Sequence, residues 1–431
     1  MIDLHARLTP WLKAPAWCIA LSGGLDSTVL LHVLTSLSRK HPLPPIRALH
    51  IHHGLQAAAD AWPAHCQRLC DDLGVELQII RVKVAACASI EQGAREARYA
   101  AFADALSPGE VLFTGQHRED QAETLLFRLL RGSGLRGLGA MPGQRPLGQG
   151  VLVRPLLDVP RRDVQAYADT HGLGWIEDPS NSDTHYSRNY LRHQVFPALL
   201  PRWPQAAQSL ARSAQHLGEA QGLLDEVACE DLARAATPCG FDWLALASLD
   251  LEVLRGLSPA RQRNALQYWL AQRTRLPDTR HWAGWESLRD AAPDGRPMWG
   301  LTDGELHRSN ERIWWLAGDW LKACAGQQVW PDPVRSLELG HNGSVTLSGT
   351  LPQGPLHIAY RQGGERLSTS GRGQRDLKRL LNELQVPQFV RSRLPLLYCG
   401  DRLLAVANLP GLSQGDWQLH WCVPTSAQGL R

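Results

Sequence analysis

The chain has 431 residues, 44 % of them hydrophobic and 20 % charged, with a formal net charge of +3. At roughly 100–200 residues per domain that length predicts two to four domains, and the composition excludes a disordered or low-complexity protein. No apolar stretch approaches the ~18–20 residues of a membrane span, and Asp3, His5 and Arg7 stand where a signal peptide would be apolar, so a cytoplasmic protein without membrane association is expected.

In chain order, short apolar runs alternate with helical patterns over the first ~180 residues. Strands are predicted at residues 17–21, 46–52, 77–82 and 111–114, with a shorter extended run at 151–156. Helices are predicted between and after them at 26–39, 57–73, 90–106, 119–130 and 161–171. Strands alternating with helices make βαβ units, so the fold class is α/β, a parallel doubly wound sheet whose ligands bind beyond the strand C-terminal ends. An alanine-rich helix at 204–234 leads out of this domain. Nine of the sixteen tryptophans fall between Trp243 and Trp330, in a mainly helical middle stretch where core packing is a simpler use for them than base stacking. Pro331-Asp332-Pro333 marks a linker, and a small α+β domain follows. The expected division is 1–215, 216–330 and 331–431.

Charge follows this division: +2 over residues 1–220, −4 over 221–360 and +5 over 361–431. The basic surplus lies in residues 361–393, where Arg361, Arg366, Arg372, Arg375, Lys378, Arg379, Arg391 and Arg393 suit a polyanion. The nine cysteines are odd in number and contain no CxxC, which argues against a disulfide framework or zinc ribbon and for a reducing compartment.

Ser22-Gly23-Gly24-Leu25-Asp26-Ser27 stands directly between the first strand and the first helix, where a phosphate cradle belongs. Two glycines let the backbone approach an anion, successive N–H groups and the helix N-terminus face it, and Ser22 and Ser27 add hydroxyls. Asp26 fits a phosphate site only with a cation between the two charges, so Mg²⁺ is expected there. The alternative is an ordinary capped βα turn. A literal GxGxxG, Gly132-Ser133-Gly134-Leu135-Arg136-Gly137, follows a helix instead of a strand and fails as a dinucleotide fingerprint; it is a basic loop beside Arg131. On a strand His50 and His52 share a face and His53 points away, without a cysteine partner nearby, so His53-Gly54 is taken as a pocket edge and not as a metal cluster.

The stretch Ser22–Ser27 resembles the PP-loop of the N-type ATP pyrophosphatases, which split ATP between its α and β phosphates. Further motifs are His50-Ile51-His52-His53-Gly54-Leu55, the run from Thr114-Gly115-Gln116-His117 through Asp120-Gln121-Ala122-Glu123-Thr124, and Arg128-Leu129-Leu130-Arg131-Gly132-Ser133-Gly134. Trp175-Ile176-Glu177-Asp178-Pro179-Ser180-Asn181 and Arg188-Asn189-Tyr190-Leu191-Arg192 follow in order. Together they resemble the tRNA(Ile)-lysidine synthase family over residues ~15–200. Leu377–Leu381 and Arg391–Tyr398 resemble its last domain.

The resemblance implies a HUP-like N-terminal sheet and a ligase that uses ATP, Mg²⁺ and free L-lysine to convert the wobble cytidine of tRNA(Ile) with anticodon CAU to lysidine. It implies that cytidine O2 displaces pyrophosphate from the α-phosphate, and that the lysine ε-amine then displaces AMP from C2. It further implies nucleotide contacts from Ser22, Gly23, Gly24, Leu25, Asp26, Ser27, His53 and Gly115, with Asp26 as metal ligand. Asp26, Arg98 and Asp120 would be catalytic, and Asp120 and Glu123 would grip lysine. Arg131, Arg188, Arg192, Arg372, Lys378 and Arg379 would meet RNA, and a homodimer is compatible with it. Helix-capping acids are the plain alternative for Asp120 and Glu123, and an exposed helix face the alternative for Arg95. Where the family usually has Asp this chain has Glu119. A PP-loop tRNA thiolase would need paired cysteines, an inactive RNA-binding protein would not need Ser22, Asp26 and Ser27 intact, and an amidotransferase would need a glutaminase-type cysteine.

Overall fold

The structure is a computed structural model that describes residues 4–54, 57–84, 90–278, 280–292, 295–369 and 373–424. The chain forms two compact units, Met1–Leu223 and Leu224–Arg431. Among the described residues no helix is long and apolar enough to cross a membrane.

The first unit opens with the short helix α1 (His5–Leu8) and continues β1 (Trp17–Ala20), α2 (Leu25–Ser38), β2 (Ile46–His52), α3 (Trp62–Leu73), β3 (Glu76–Arg81), α4 (Ile90–Ala105) and β4 (Val111–Phe113). Then come α5 (Arg118–Leu130), α6 (Leu135–Leu138), β5 (Gln144–Leu147), β6 (Gly150–Val153) and α7 (Arg161–Thr170). The six strands form one sheet in the order β3-β2-β1-β4-β6-β5. All neighbours are parallel except the hairpin β5–β6. Trp17, Cys18 and Ile19 on β1 and Val111, Leu112 and Phe113 on β4 are buried at every position, as central strands covered on both faces must be. Trp17 packs edge-on against Phe113 at 5.1 Å, and its indole N–H donates to the Trp11 carbonyl at 3.0 Å. The chain runs outward from β1 to β2 and β3, then returns to β4 on the other side. The C-terminal ends of β1 and β4 therefore flank a topological switch point, the place where such sheets bind ligands.

After α7 the chain forms the short helices α8 (Ser187–Tyr190) and α9 (Phe196–Leu199), joined by a wide helical turn over Leu191–Val195. The 30-residue α10 (Ala206–Ala235) follows, and the boundary between the two units falls within it.

In the second unit the middle stretch carries α11 (Leu251–Arg255), α12 (Pro259–Ala271) and α13 (Ala283–Asp290), as its helical pattern predicts. It also carries a four-stranded antiparallel sheet built on Ser248–Asp250, Arg312–Leu316, Gly304–Ser309 and Met298–Leu301. Trp314 and Trp315 sit on the second of these strands and are buried, so tryptophans here fill core. From Gln327 onward lie a second four-stranded antiparallel sheet, whose edge strand is Gln327–Trp330, a three-stranded antiparallel sheet and a helix at Leu377–Glu383. The Asp376 carboxylate caps that helix by accepting from the Arg379 backbone N–H at 3.1 Å.

Candidate functional site

The loop after β1 is braced by its own hydroxyls. Ser27 is buried; its Oγ donates to the Gly24 carbonyl at 3.0 Å, lies 3.0 Å from Ser22 Oγ, and accepts from the Ser22 N–H at 3.2 Å. Gly23 has φ +85°, and a Cβ there would stand 3.1 Å from Cys66 Sγ and 3.3 Å from Ile176 Cδ1, so only glycine fits. The Ile176 N–H donates to the Gly23 carbonyl at 2.8 Å, which makes the Trp175-Ile176 motif a wall of the loop. Leu25 is a core residue, so only its backbone faces the ligand side. α2 begins at Leu25, and its first-turn N–H groups have no intrahelical acceptor. A glycine loop with free N–H groups at a helix N-terminus has the arrangement that suits an anion.

Gly115 closes the cradle from β4. A Cβ on it would lie 2.9 Å from both the carbonyl carbon and oxygen of Asp26, so the two loops touch through backbone. Two residues on, His117 is the N-cap of α5 and is buried. Its Nδ1 is 3.2 Å from Glu119 Oε2, and its Nε2 is 3.5 Å from Asp120 Oδ2 and 3.8 Å from Asp26 Oδ1. Asp120 Oδ2 also accepts the His117 backbone N–H at 3.0 Å, the helix-capping bond that the sequence allowed for. The other Asp120 oxygen accepts from Arg192 Nη2 at 3.0 Å. Arg192 reaches past it to Glu123 in a two-pronged pair, Nε to Oε1 at 2.7 Å and Nη2 to Oε2 at 2.9 Å. Arg188, one turn earlier on α8, donates to Thr124 Oγ1 at 3.1 Å.

Four carboxylates, Asp26, Glu119, Asp120 and Glu123, thus converge on one imidazole and one guanidinium. Burial raises the Asp26 pKa, with His117 opposing and the Asp120 charge adding to the rise. Burial also raises Glu123, against the pull of Arg192. For His117, burial works to lower the pKa, but Glu119, Asp120 and Asp26 outweigh it and hold the ring above its ordinary value. Glu119 moves down despite burial, because His117 and the Arg161 backbone N–H bind it; the latter contact is 2.8 Å. The longer arm of Glu119 is what reaches both partners. Asp26 Oδ1 is buried without a hydrogen-bond partner, its charged neighbour being His117 Nε2 at 3.8 Å, so it has a lone pair left for a further donor. Among the described residues no cluster of three ligating side chains could hold a metal unaided.

The remaining expected residues are placed as follows. His53 is half-buried at the end of β2, its ring edge-on to Trp62 at 6.4 Å. Burial and then Arg98 lower its pKa. Arg98 is exposed on α4, 5.9 Å from the Tyr99 ring centre. His50 is buried with Nδ1 2.9 Å from the Leu21 carbonyl. Arg131 is exposed over Phe127. In the second unit Lys378 and Arg379 are exposed on the helix Leu377–Glu383, and Arg379 also pairs with Glu383 at 3.2 Å; Arg372 lies outside the described residues. Arg393, counted among the polyanion-facing arginines, is a correction. It is 5 % exposed, and its guanidinium donates to the carbonyls of Asp319, Trp320, Lys322 and His341 and to Asn342 Oδ1. Sequence reasoning gave no role to His117, although a histidine two residues after the loop glycine and at a helix start was visible as a signal.

The eight described cysteines are free. Burial pushes the thiols of Cys18 and Cys66 up to about 12 and that of Cys70 up to about 11, so none of these three is a nucleophile at neutral pH.

The PP-loop domain family matches residues 3–199, the TilS substrate binding domain 249–314 and the TilS substrate C-terminal domain 356–421. The tRNA(Ile)-lysidine synthase of Pseudomonas putida is 68 % identical over 98 % of this chain and 99 % of its own. The chain belongs to the tRNA(Ile)-lysidine synthase family. The enzyme of that name from Pseudomonas aeruginosa is 58 % identical over 99 % of this chain and 98 % of its own, and that of Coxiella burnetii 39 % over 91 % and 88 %. Membership makes the chain an ATP-using enzyme, with the PP-loop domain as its ATP site.

Proposed function

We propose that this chain joins L-lysine to C2 of the wobble cytidine of tRNA(Ile) with anticodon CAU, in two steps at the switch point of the first unit. In the first step the cytidine O2 attacks the α-phosphorus of ATP, the α–β P–O bond breaks and pyrophosphate leaves. The backbone N–H groups of residues 22–27 and the N-terminus of α2 take up the charge that develops on the leaving group. Asp26 would hold Mg²⁺, with phosphate oxygens completing its shell; the ion's chemistry there is neutralisation of the pyrophosphate charge. The unpartnered Asp26 Oδ1 supports that fit.

In the second step the lysine ε-amine attacks C2, and the C2–O bond breaks to release AMP. Four carboxylates against Arg192 and His117 leave an excess of negative charge that suits a lysine amino group. Asp120, between His117 and Arg192, receives it and takes the proton that the ammonium must lose before attack. Glu123 acts through Arg192: both its oxygens are engaged there, and the pair fixes the guanidinium that orients Asp120. Arg98, Arg131, Arg188, Lys378 and Arg379 face RNA, and the protein works in the cytoplasm, which its free thiols suit.

One observation carries this reading: a partly buried acidic cluster shares His117 with the phosphate loop, so the group that splits ATP and a site for a cationic nucleophile are adjacent. The test mixes protein, Mg-ATP and an unmodified CAU transcript, with and without lysine. Pyrophosphate release that needs RNA but not lysine, with AMP released only once lysine is added, is expected. Pyrophosphate release that needs lysine but not RNA would mean that the amino acid is activated instead, and would overturn it.

A further inference from the structure

We propose that Arg95, Arg98 and Arg145, gathered around the Tyr99 ring and backed by the buried Arg154, bind a backbone phosphate of the substrate RNA and hold the wobble nucleotide's strand against the catalytic edge of the sheet. This rests on the RNA-substrate reading above.

Three separate segments build the cluster. Arg95 and Arg98 stand one turn apart on α4, Arg145 lies on the edge strand β5, and Arg154 directly follows β6. The guanidinium carbons of Arg145, Arg95 and Arg98 lie 4.8, 4.9 and 5.9 Å from the Tyr99 ring centre. Arg154 is buried; its Nε donates to Gln116 Oε1 at 3.1 Å and its Nη1 to the Pro142 carbonyl at 2.8 Å. Gln116 Oε1 also accepts from Thr114 Oγ1 at 2.6 Å, so the cluster is tied to the loop that presses Gly115 onto Asp26. Arg128 on α5 extends the basic surface. Its guanidinium is anchored on the carbonyls of Gly137 and Ala140 at 2.7 Å each, and it feels both Arg188 and Arg95.

Among the described residues no carboxylate forms an ion pair with Arg95, Arg145 or Arg154. Arg95 and Arg145, like charges over the Tyr99 ring with no such acid between them, favour an anion that joins them, and the guanidinium fork matches phosphate oxygens. The Tyr99 phenol registers the field: burial alone would raise its pKa, yet Arg95, Arg154 and Arg98 bring it below the ordinary tyrosine value. Nucleotide phosphates already have the cradle after β1. Arg145 and Arg154 lie at β5 and β6, on the far side of β4 from the strand that the cradle follows, and Arg95 and Arg98 on α4 meet them around Tyr99, where a second phosphodiester can be held while its neighbouring base reaches Asp26 and Asp120.

The test uses the full chain with Arg95→Gln, Arg145→Gln and the double substitution, and with Arg162→Gln on the exposed face of α7 as control. Binding of a CAU anticodon stem-loop is followed by fluorescence anisotropy across a salt series, and KM is measured for ATP and lysine. The double variant is expected to bind RNA about tenfold more weakly, with the log–log salt slope flatter by about 0.7 for each phosphate no longer neutralised. ATP and lysine KM should stay at wild-type values, and the Arg95→Lys/Arg145→Lys protein should keep the wild-type salt slope. Unchanged RNA affinity and slope would overturn the proposal, as would a raised ATP KM with unchanged RNA binding, which would assign the cluster to nucleotide phosphates. Lysine transfer by the wild-type protein tests the substrate reading separately: RNA binding that depends on Arg95 and Arg145 without any lysine transfer would sink that reading alone.

Discussion

Replacing Arg192 with methionine leaves Glu123 as a carboxylate that is 2 % exposed and stripped of the guanidinium that engages both its oxygens. Removing one partner of a buried pair costs about 3–5 kcal/mol, because the other charge stays desolvated. The Arg192 side chain is 26 % exposed, so the lower end, about 3 kcal/mol, applies. For a unit of this size, Met1–Leu223, each kcal/mol lowers the melting temperature by about 2–4 °C, so a fall of roughly 6–12 °C is expected. The assay is calorimetry of the full chain, following the transition that ATP shifts. The pH dependence has a defined sign. Burial raises the folded-state pKa of Glu123, and losing Arg192 raises it further. Above the unfolded carboxylate value of about 4.3 the folded state then binds more protons than the unfolded one. The stability tied to the protonated form is therefore present at low pH and lost as pH rises through the folded value. Arg192→Met should consequently be penalised most at pH 8 and less at pH 5. Adding Glu123→Gln to it should recover about 2 kcal/mol at pH 8 and remove the pH dependence. A penalty that is the same at both pH values, or that Glu123→Gln does not relieve, would refute the reasoning.

Asp26→Asn should lower RNA-dependent pyrophosphate release at least about 100-fold while the protein still melts cooperatively, since it removes the phosphate-side charge and not a packing group; a loss under tenfold would contradict its assignment. Gly115→Ala forces a Cβ to within 2.9 Å of the Asp26 backbone, so kcat/KM for ATP should fall by about 100-fold, checked by initial rates of pyrophosphate release. Wild-type kinetics in that variant would mean that the two loops do not need to touch. Arg393→Met should destabilise the second unit by about 3 kcal/mol or more, since it strands the carbonyls of Trp320, Lys322 and His341 together with Asn342 Oδ1. Stem-loop binding by the remaining folded protein should be unchanged, because Arg393 has no surface to offer.

Much of the first unit was legible because its signals are local. Val111–Phe113 is an apolar run followed by a glycine turn, and Asp120 and Glu123 sit three apart at the start of a helix; each pattern is complete within a dozen residues. The edge strand Gln144–Leu147 escaped because it carries Arg145 and Pro146 and buries only Leu147, so it has neither an apolar run nor clean alternation. The site's electrostatics escaped for a different reason. Arg192 meets Glu123 across 69 positions and Asp120 across 72, and no spacing rule connects residues that far apart. Arg393 shows the same limit in reverse. Its charge is plain in the sequence, but the five acceptors that bury it come from segments 51–74 positions away. In the middle stretch the alternation around Trp314-Trp315 reads as a strand, but its sheet partners at Ser248–Asp250 and Met298–Leu301 are only three and four residues long and carry too little pattern to be read.

The most direct test of the central claim incubates the protein with Mg-ATP, radiolabelled lysine and an unmodified CAU tRNA(Ile) transcript, and locates the label after nuclease digestion. Label on the wobble cytidine, absent with Asp26→Asn and with Asp120→Asn, is the predicted result. Label on no nucleotide while pyrophosphate is still released would contradict the claim that the acidic cluster beside the phosphate loop delivers lysine to RNA.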